Sequence, residues 1–340
     1  MKSFKKSTIV LGFILSACST APEAAPVPAA APNVASITDA SVTAMLSVLA
    51  DDSMEGRMTA SRGAARATKF IAAQMAAAHL QPMGDSGYFQ KVPLLITAKG
   101  LAPYSAAAAV PGTRTVVDVN VVGMIRGSDP ALRDEYVLVD AHFDHLGIGT
   151  AVNGDSVYNG ADDDASGVVT VLSVARVLAA GPAPKRSILF VTTTGEEEGL
   201  FGTEWLIGHF PVPLDSVRAN LEIEMIGRPD SLLGPGKAWL TGYERTTMGP
   251  MFKAAGLPIF PDPHPSEQFF QRSDNIAFAK LGIPAQTLSS FGLHGDYHQP
   301  SDDMSRVDIP HMTAVIRAAT SAVWLLANGP LPTWLPGGRP

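Results

Sequence analysis

The sequence predicts a single three-layer α/β/α domain, with a mixed, mainly parallel sheet held between helices. Three observations predict it. Stretches of strand character alternate with stretches of helical periodicity along most of the chain. Several strands, such as "EYVLVDAHF" and "RSILFVTTT", are apolar almost throughout, as strands covered on both faces are. Acids and histidines gather directly after those strands, where open α/β sheets carry their ligands.

In chain order, the N-terminus comes first. Lys2, Lys5 and Lys6 precede the apolar "TIVLGFIL", too short to span a bilayer but suited to a signal peptide. "LSAC" follows, and its Cys18 is the chain's single cysteine. Leu15, Ser16, Ala17 and Cys18 resemble a bacterial lipobox, which implies cleavage after residue 17 and a lipid on Cys18. The alternative is ordinary cleavage nearby with a free thiol left over. The expectation is thus a signal peptide over 1–17 and an exported protein anchored by lipid to a bacterial membrane, facing the periplasm or the cell exterior. Residues 18–35 are rich in Ala and Pro and read as an extended tether. The folded body is expected over 36–330. With no other cysteine it has no disulfide to lean on, so core packing and any metal must stabilise it.

The body opens with an amphipathic helix from Ile37 to about Ala50, then the polar turn "DDSMEGRMT" from Asp51. "SRGAARATKFIAAQMAAAHL" is an Ala-rich helix. "YFQKVPLLIT", "VVDVNVVGMIRG" and "EYVLVDAHF" are strands. "ASGVVTVLSVARVLAAG" has small residues in its first turn and Gly181 at its end, and reads as a helix. "RSILFVTTT", "RANLEIEMIG" and "KAWLTGY" are strands, and "TTMGPMFKAAG" is a short helix. "IAFAKLGIPAQTLSS" is a helix running into a strand, and "IPHMTAVIRAATSAVWLLANG" closes the chain as a long helix. At 340 residues, 46% hydrophobic, the chain can bury a large core. Its net charge of −7, with no basic run beyond the N-terminus, argues against nucleic acid as a partner.

The strand ends carry the chemistry. His142, Asp144 and His145 follow one strand, and Asp162, Asp163 and Asp164 open the next helix. Glu196, Glu197 and Glu198 follow "SILFVTTT", and Glu224 ends "RANLEIE". Late in the chain, "HGDYHQPSDD" offers His294, Asp296, Tyr297, His298, Asp302 and Asp303. Singly, each has a plain reading: a helix cap, solvated acids, a turn. Together, anions converging on one sheet edge repel unless cations hold them. Carboxylate and imidazole without thiolate suit zinc in an open catalytic site, or manganese or cobalt. Calcium fits less well, because no "DxDxDG" loop is present and two histidines are.

"AHFDHLG", "NGADDDASGV", "TGEEEGLFGT", "LEIEMIGR" and "DYHQPSDD" resemble the five metal motifs of the co-catalytic di-zinc aminopeptidases, a family that includes glutamate carboxypeptidases and glutaminyl cyclases. The likeness runs from about Asp51 to the last helix. It implies the zinc-exopeptidase type of fold and two zinc ions per chain. By motif, His142 and Glu224 would hold one metal, Glu197 and His298 the other, and Asp163 would bridge both. Asp144 would orient His142 by a hydrogen bond. Glu196 would be the general base and Glu198 a solvated variable position. Tyr297 would help polarise the scissile carbonyl. Two departures stand out: Glu224 stands where Asp is usual, and Asn275 where His is usual. Glu222 lies on the same strand face as Glu224, and the following "MIGR" sets the register in favour of Glu224.

The resemblance implies an aminopeptidase acting on peptides through a two-metal-activated water. Three alternatives stay open. A glutaminyl cyclase uses the same fold with one zinc. A carboxypeptidase needs a cationic cradle, for which Arg228, Arg245 and Arg272 are candidates. A metal-stabilised binding lipoprotein without turnover would leave Glu196 dispensable.

Overall fold

The structure is a computed structural model, and it describes Met1, residues 31–105 and residues 110–340. The expected signal peptide, Cys18 and most of the tether lie outside the described residues. The chain from Ala31 to Pro340 forms one unit.

Helix α1 (Asp39–Leu49) starts at Thr38, whose side chain and that of Ser41 cap each other's backbone N–H groups. Helix α2 (Arg62–Ala77) is capped by Ser61. Strands β1 (Gln81–Pro82), β2 (Phe89–Thr97), β3 (Gly100–Pro103) and β4 (Arg114–Ile125) come next, then the central β5 (Tyr136–His142). A hairpin of β6 (Gly147–Val152) and β7 (Asp155–Tyr158) precedes helix α3 (Gly167–Ala179). Then follow β8 (Ser187–Thr193), α4 (Phe201–Gly208), β9 (Val217–Ile223), β10 (Ala238–Leu240), α5 (Met248–Ala254) and β11 (Ile259–Pro261). Helix α6 (Asn275–Lys280), β12 (Ala285–Ser289) and α7 (Ile309–Asn328) complete the body.

The sheet order is β11-β10-β12-β9-β5-β8-β4-β2-β3, with β1 on β4. Its centre, β12-β9-β5-β8, is parallel, and β4, β2 and β3 extend it antiparallel. On the other side β10 runs antiparallel to β12 and parallel to β11. Every residue of β5 and β8 is buried, which accounts for their unbroken apolar runs. Val137, Val139 and Ala141 of β5 join a core with α1, α2, α3 and α7. Tyr136 and Leu138 point the other way, into a core that includes Leu206 of α4 and Phe278 of α6. These are the three predicted layers. Helix α7 is long and apolar enough to cross a membrane, yet most of it is buried in the first core.

The chain passes from β5 to β8 on one side and then to β9 on the other. The carboxyl ends of the three strands therefore flank a topological switch point, the place where such sheets bind ligands. In register, Asp140 pairs with Glu222, so His142 and Glu224 stand two residues further along adjacent strands, on one face.

Three features depart from the sequence reading. The folded body starts before residue 36: Pro32 is buried, Val34–Ser36 forms a turn of 3-10 helix, and Arg317 Nη2 donates to Ile37 O at 2.6 Å. It also runs past residue 330, since Trp334 Nε1 donates to Gly282 O at 2.8 Å and Arg245 Nη1 to Gly338 O at 3.0 Å. Helix α4 and the β6–β7 hairpin add elements that the sequence reading left out.

Candidate active site

His142 ends β5, and its ring is fixed from behind. Nδ1 lies 3.1 Å from the carbonyl of Asp144. A carbonyl only accepts, so Nδ1 carries a proton, and Nε2 is left facing Asp163 Oδ1 at 3.3 Å; burial opposes charge on the ring, but Asp163, Glu196 and Asp164 outweigh it and raise its pKa well above the usual range. This corrects the expected role of Asp144. Its carboxylate is 3.9 Å from His142 Nδ1 and serves another partner. Asp144 Oδ1 and Oδ2 accept the backbone N–H groups of Glu196 and Glu197 at 3.2 and 3.3 Å, and Thr59 donates to Oδ2. Asp144 thus holds the "GEEE" turn, while its main chain orients His142. Burial pushes its pKa up to about 7.

Of the three acids after Gly160, each has its own task. Gly160 takes φ 57, and a Cβ there would stand 2.1 Å from Asp163 O and 2.6 Å from His145 Cγ, so only glycine fits. Asp162 accepts from Gly227 N and pairs with His294 at 2.9 Å. Asp164 accepts from Gly167 N and Met225 N, tying the start of α3 to the end of β9. Asp163 is left facing the centre. Its Oδ1 points to His142, and its Oδ2 lies 3.2 Å from His298 Nε2 and 3.7 Å from His145 Nδ1. Burial opposes its charge, but His145, His142 and His298 hold its pKa well below the usual range. Asp302, from the last cluster, accepts the N–H groups of Asp162 and Asp163 and so fixes this loop.

The three glutamates separate by direction. Glu197 lies 2.8 Å from His145 Nδ1 and 3.1 Å from His298 Nε2. Glu196 touches neither imidazole and lines the adjoining cavity, where burial drives its pKa well up. Glu198 is exposed. Directly after β9, Glu224 has a carboxylate oxygen within 4.8 Å of ligand atoms of His142 and Asp163. Glu222 turns away, accepting from Ser273, Thr287 Oγ1 at 2.6 Å and the N–H groups of Asp274 and Asn275. Asn275 is buried, and its side-chain amide donates to Phe270 O. Tyr297 stacks on His298, with ring centres 3.8 Å apart.

Two groups of donors thus share Asp163: His142 with Glu224, and Glu197 with His145 and His298. Nε2 of His142, His145 and His298 are all buried without a hydrogen-bond partner. Buried polar atoms are rarely left so, and Nε2 of His142 and of His298 among the carboxylates of Asp163, Glu197 and Glu224 fit a transition-metal site, while His145 meets the same carboxylates through Nδ1. His145 belongs to this set, although motif reading gave it no role. Its signal was its spacing, three residues after His142 in the same loop.

Beyond Glu196 the cavity is walled by Trp239, Phe269, Phe291 and Tyr297, with Thr241, Thr287 and Ser289 also lining it. Of the three candidate arginines, Arg272 lines the cavity. Arg228 is paired with Asp296 at 2.6 Å, and Arg245 lies over Phe270 and binds the C-terminal tail.

With this geometry in place, comparison with known proteins adds a lineage. The chain is 27% identical over 240 residues to the probable leucine aminopeptidase 2 of Aspergillus oryzae, a match covering 62% of this chain and 45% of that protein. The chain thus spans about half the length of that relative. The fold matches a zinc aminopeptidase from Bacillus subtilis with a TM-score of 0.62 at 14% identity, over 86% of this chain and 96% of the other. It matches the glutaminyl cyclase of Bacteroides thetaiotaomicron with a TM-score of 0.61 at 15% identity, over 85% and 98%. The model of peptidase family M28 matches residues 120–323, which hold all of the clustered acids and histidines described above, and the chain belongs to that family.

Proposed function

We propose that this protein is a zinc-dependent aminopeptidase that removes N-terminal residues from peptides. The observation that carries the reading is the shared carboxylate of Asp163, whose two oxygens face two separate imidazole–carboxylate groups. His142, Glu224 and Asp163 would hold one zinc, and Asp163, Glu197 and His298 the other. When bound, the ions supply Lewis acidity that acidifies a water and polarises a carbonyl. The chain's own residues do the rest. Glu196, half-buried beside the groups yet ligating in neither, takes the proton of the attacking water and delivers it to the leaving amine. Burial and the nearby acids raise the pKa of Tyr297, so its hydroxyl keeps its proton and can donate to the developing oxyanion. Aromatic walls shed water from the bound residue.

Two ligand groups favour this reading over a one-zinc cyclase. Arg228 and Arg245 are engaged elsewhere, and Arg272, which lines the cavity, lies 3.5 Å from Glu267 and over the Phe269 ring, so a carboxypeptidase would have one already partnered cation in place of a cradle. A panel of aminoacyl-chromophore substrates on zinc-reconstituted protein tests the proposal. Release of chromophore from free-amine substrates is expected, and no release from any of them would end it. The export reading is proposed alongside: Cys18 carries the lipid, so Cys18→Ala should free the protein from membranes or leave it unprocessed. Equal partitioning of both forms would exclude the anchor.

A further inference from the structure

The turn "DDSMEGRMT" sends one long cation inward. Arg57 is fully buried. Its Nε donates to Phe143 O at 2.7 Å. Nη1 donates to Leu49 O at 2.8 Å and Asn159 O at 2.5 Å. Nη2 donates to Gly160 O at 2.9 Å and reaches Asp163 O at 3.5 Å. The five donors of a guanidinium are all used, and every acceptor is a backbone carbonyl. Among the described residues no carboxylate forms a salt bridge with it. Burying a cation without a paired anion is costly, and most folds avoid it.

The acceptors are not scattered. Phe143 lies between His142 and Asp144. Asn159, Gly160 and Asp163 belong to the loop that delivers the shared carboxylate. One planar fork thus spans both loops that meet at the candidate centre. The turn that aims it is itself unusual: Glu55, Gly56 and Arg57 all take left-handed conformations, with φ 52, 64 and 51. Gly56 is required there, because a Cβ would stand 2.4 Å from Tyr158 O and 2.5 Å from Gly147 O. Asn159 Nδ2 fastens the same junction, donating to Ala50 O at 3.0 Å and Asp52 Oδ1 at 2.9 Å.

We infer that Arg57 is a positioning residue of the metal centre: by clamping the carbonyls of Phe143, Asn159, Gly160 and Asp163 it sets the spacing of the His142 and Asp163 loops. A turn held only for stability would not need its cation to end on these carbonyls. The fork geometry matters as well as the charge, since an ammonium has three donors on a flexible stem and cannot span both loops. The charges of Asp163, Asp302, Asp164 and Asp144 all favour the cation here, against the pull of burial.

The inference rests on the metal reading above, so zinc binding by the wild-type chain is measured first, by elemental analysis and chelator competition. Arg57→Lys keeps the charge and loses the fork. Zinc affinity of the folded protein should fall about 10–100-fold, as when other groups that orient ligands are removed. The visible spectrum of the cobalt-loaded protein should change as well. A purely structural role would lower the melting temperature of the metal-free protein and leave both readouts alone. Asn159→Ala keeps the guanidinium and loosens the same junction, so a smaller loss of affinity in the same direction is expected. It carries the test if Arg57→Lys does not fold. Wild-type protein that binds no zinc would overturn the metal reading and this inference together. Wild-type protein with two zinc ions and variants of unchanged affinity and spectrum would overturn the inference alone.

Discussion

His142 and Glu224 stand at the ends of two adjacent central strands, and the His142 ring is buried. Glu197 and His298 come from loops, and the His298 side chain is 33% exposed. The two groups share Asp163 but are built on different supports. Strand ends are fixed by the sheet's register, whereas loop residues depend on tethers such as Asp144 to the "GEEE" turn. The lesson is a division of labour. The inner group should bind its zinc tightly and hold it, and the outer group should exchange more readily next to the cavity where substrate enters.

The largest expected effect separates the neighbours Glu196 and Glu197. Glu196→Gln keeps size and polarity but cannot take a proton. It should retain both zinc ions and lose about 10²–10⁴-fold in kcat. Glu197→Gln should lose the outer zinc, recover part of its activity with excess zinc, and melt at a temperature that rises as zinc is added. Loss of metal from the first variant with full metal in the second would reverse the two roles.

A smaller effect is expected at His145, whose Nδ1 donates to Glu197 Oε1 at 2.8 Å. His145→Gln should weaken the outer zinc by roughly 10–100-fold and leave the inner one unchanged. Equal weakening of both would erase the inner–outer contrast.

The mildest effect is that of pH. Burial pulls the His298 pKa down, but Asp163 and Glu197 outweigh it and raise it to about 10. The metal-free imidazole is therefore protonated at neutral pH, and zinc must displace that proton. Outer-site affinity should climb as pH rises towards 10, with proton release measurable by calorimetry in buffers of different ionisation enthalpy. Affinity that is flat with pH would place the proton elsewhere. In metal-free protein the same His298 shift stabilises the fold below the unfolded pKa, near 6.5, and is lost as pH rises through about 10.

Much of this centre was legible because its residues sit where strands end, and apolar runs mark strand ends well. The period of a strand puts Glu222 and Glu224 on one face, and it was the following "MIGR" that favoured Glu224. What escaped depended on directions that sequence does not carry. His145 reaches a carboxylate 52 residues away. Arg57 in a run of acids looks solvated, and only three successive left-handed residues turn it inward. Asp144 does lie beside His142, but it is its main-chain oxygen, at 3.1 Å, and not its carboxylate, at 3.9 Å, that meets the ring. The β6–β7 hairpin did leave a signal, the pair Asn153-Gly154, whose φ values of 54 and 92 suit a tight hairpin turn. Helix α4 left little, because Gly202 and Gly208 weaken its helical pattern.

The central claim is that two metal positions share Asp163 and act together in hydrolysis. It is tested most directly by stripping the protein with chelator and restoring zinc stepwise while following both zinc content and turnover of an aminoacyl substrate. The account predicts no turnover without metal and full turnover only as the second equivalent binds. Full activity at one zinc per chain, or none with two bound, would contradict it.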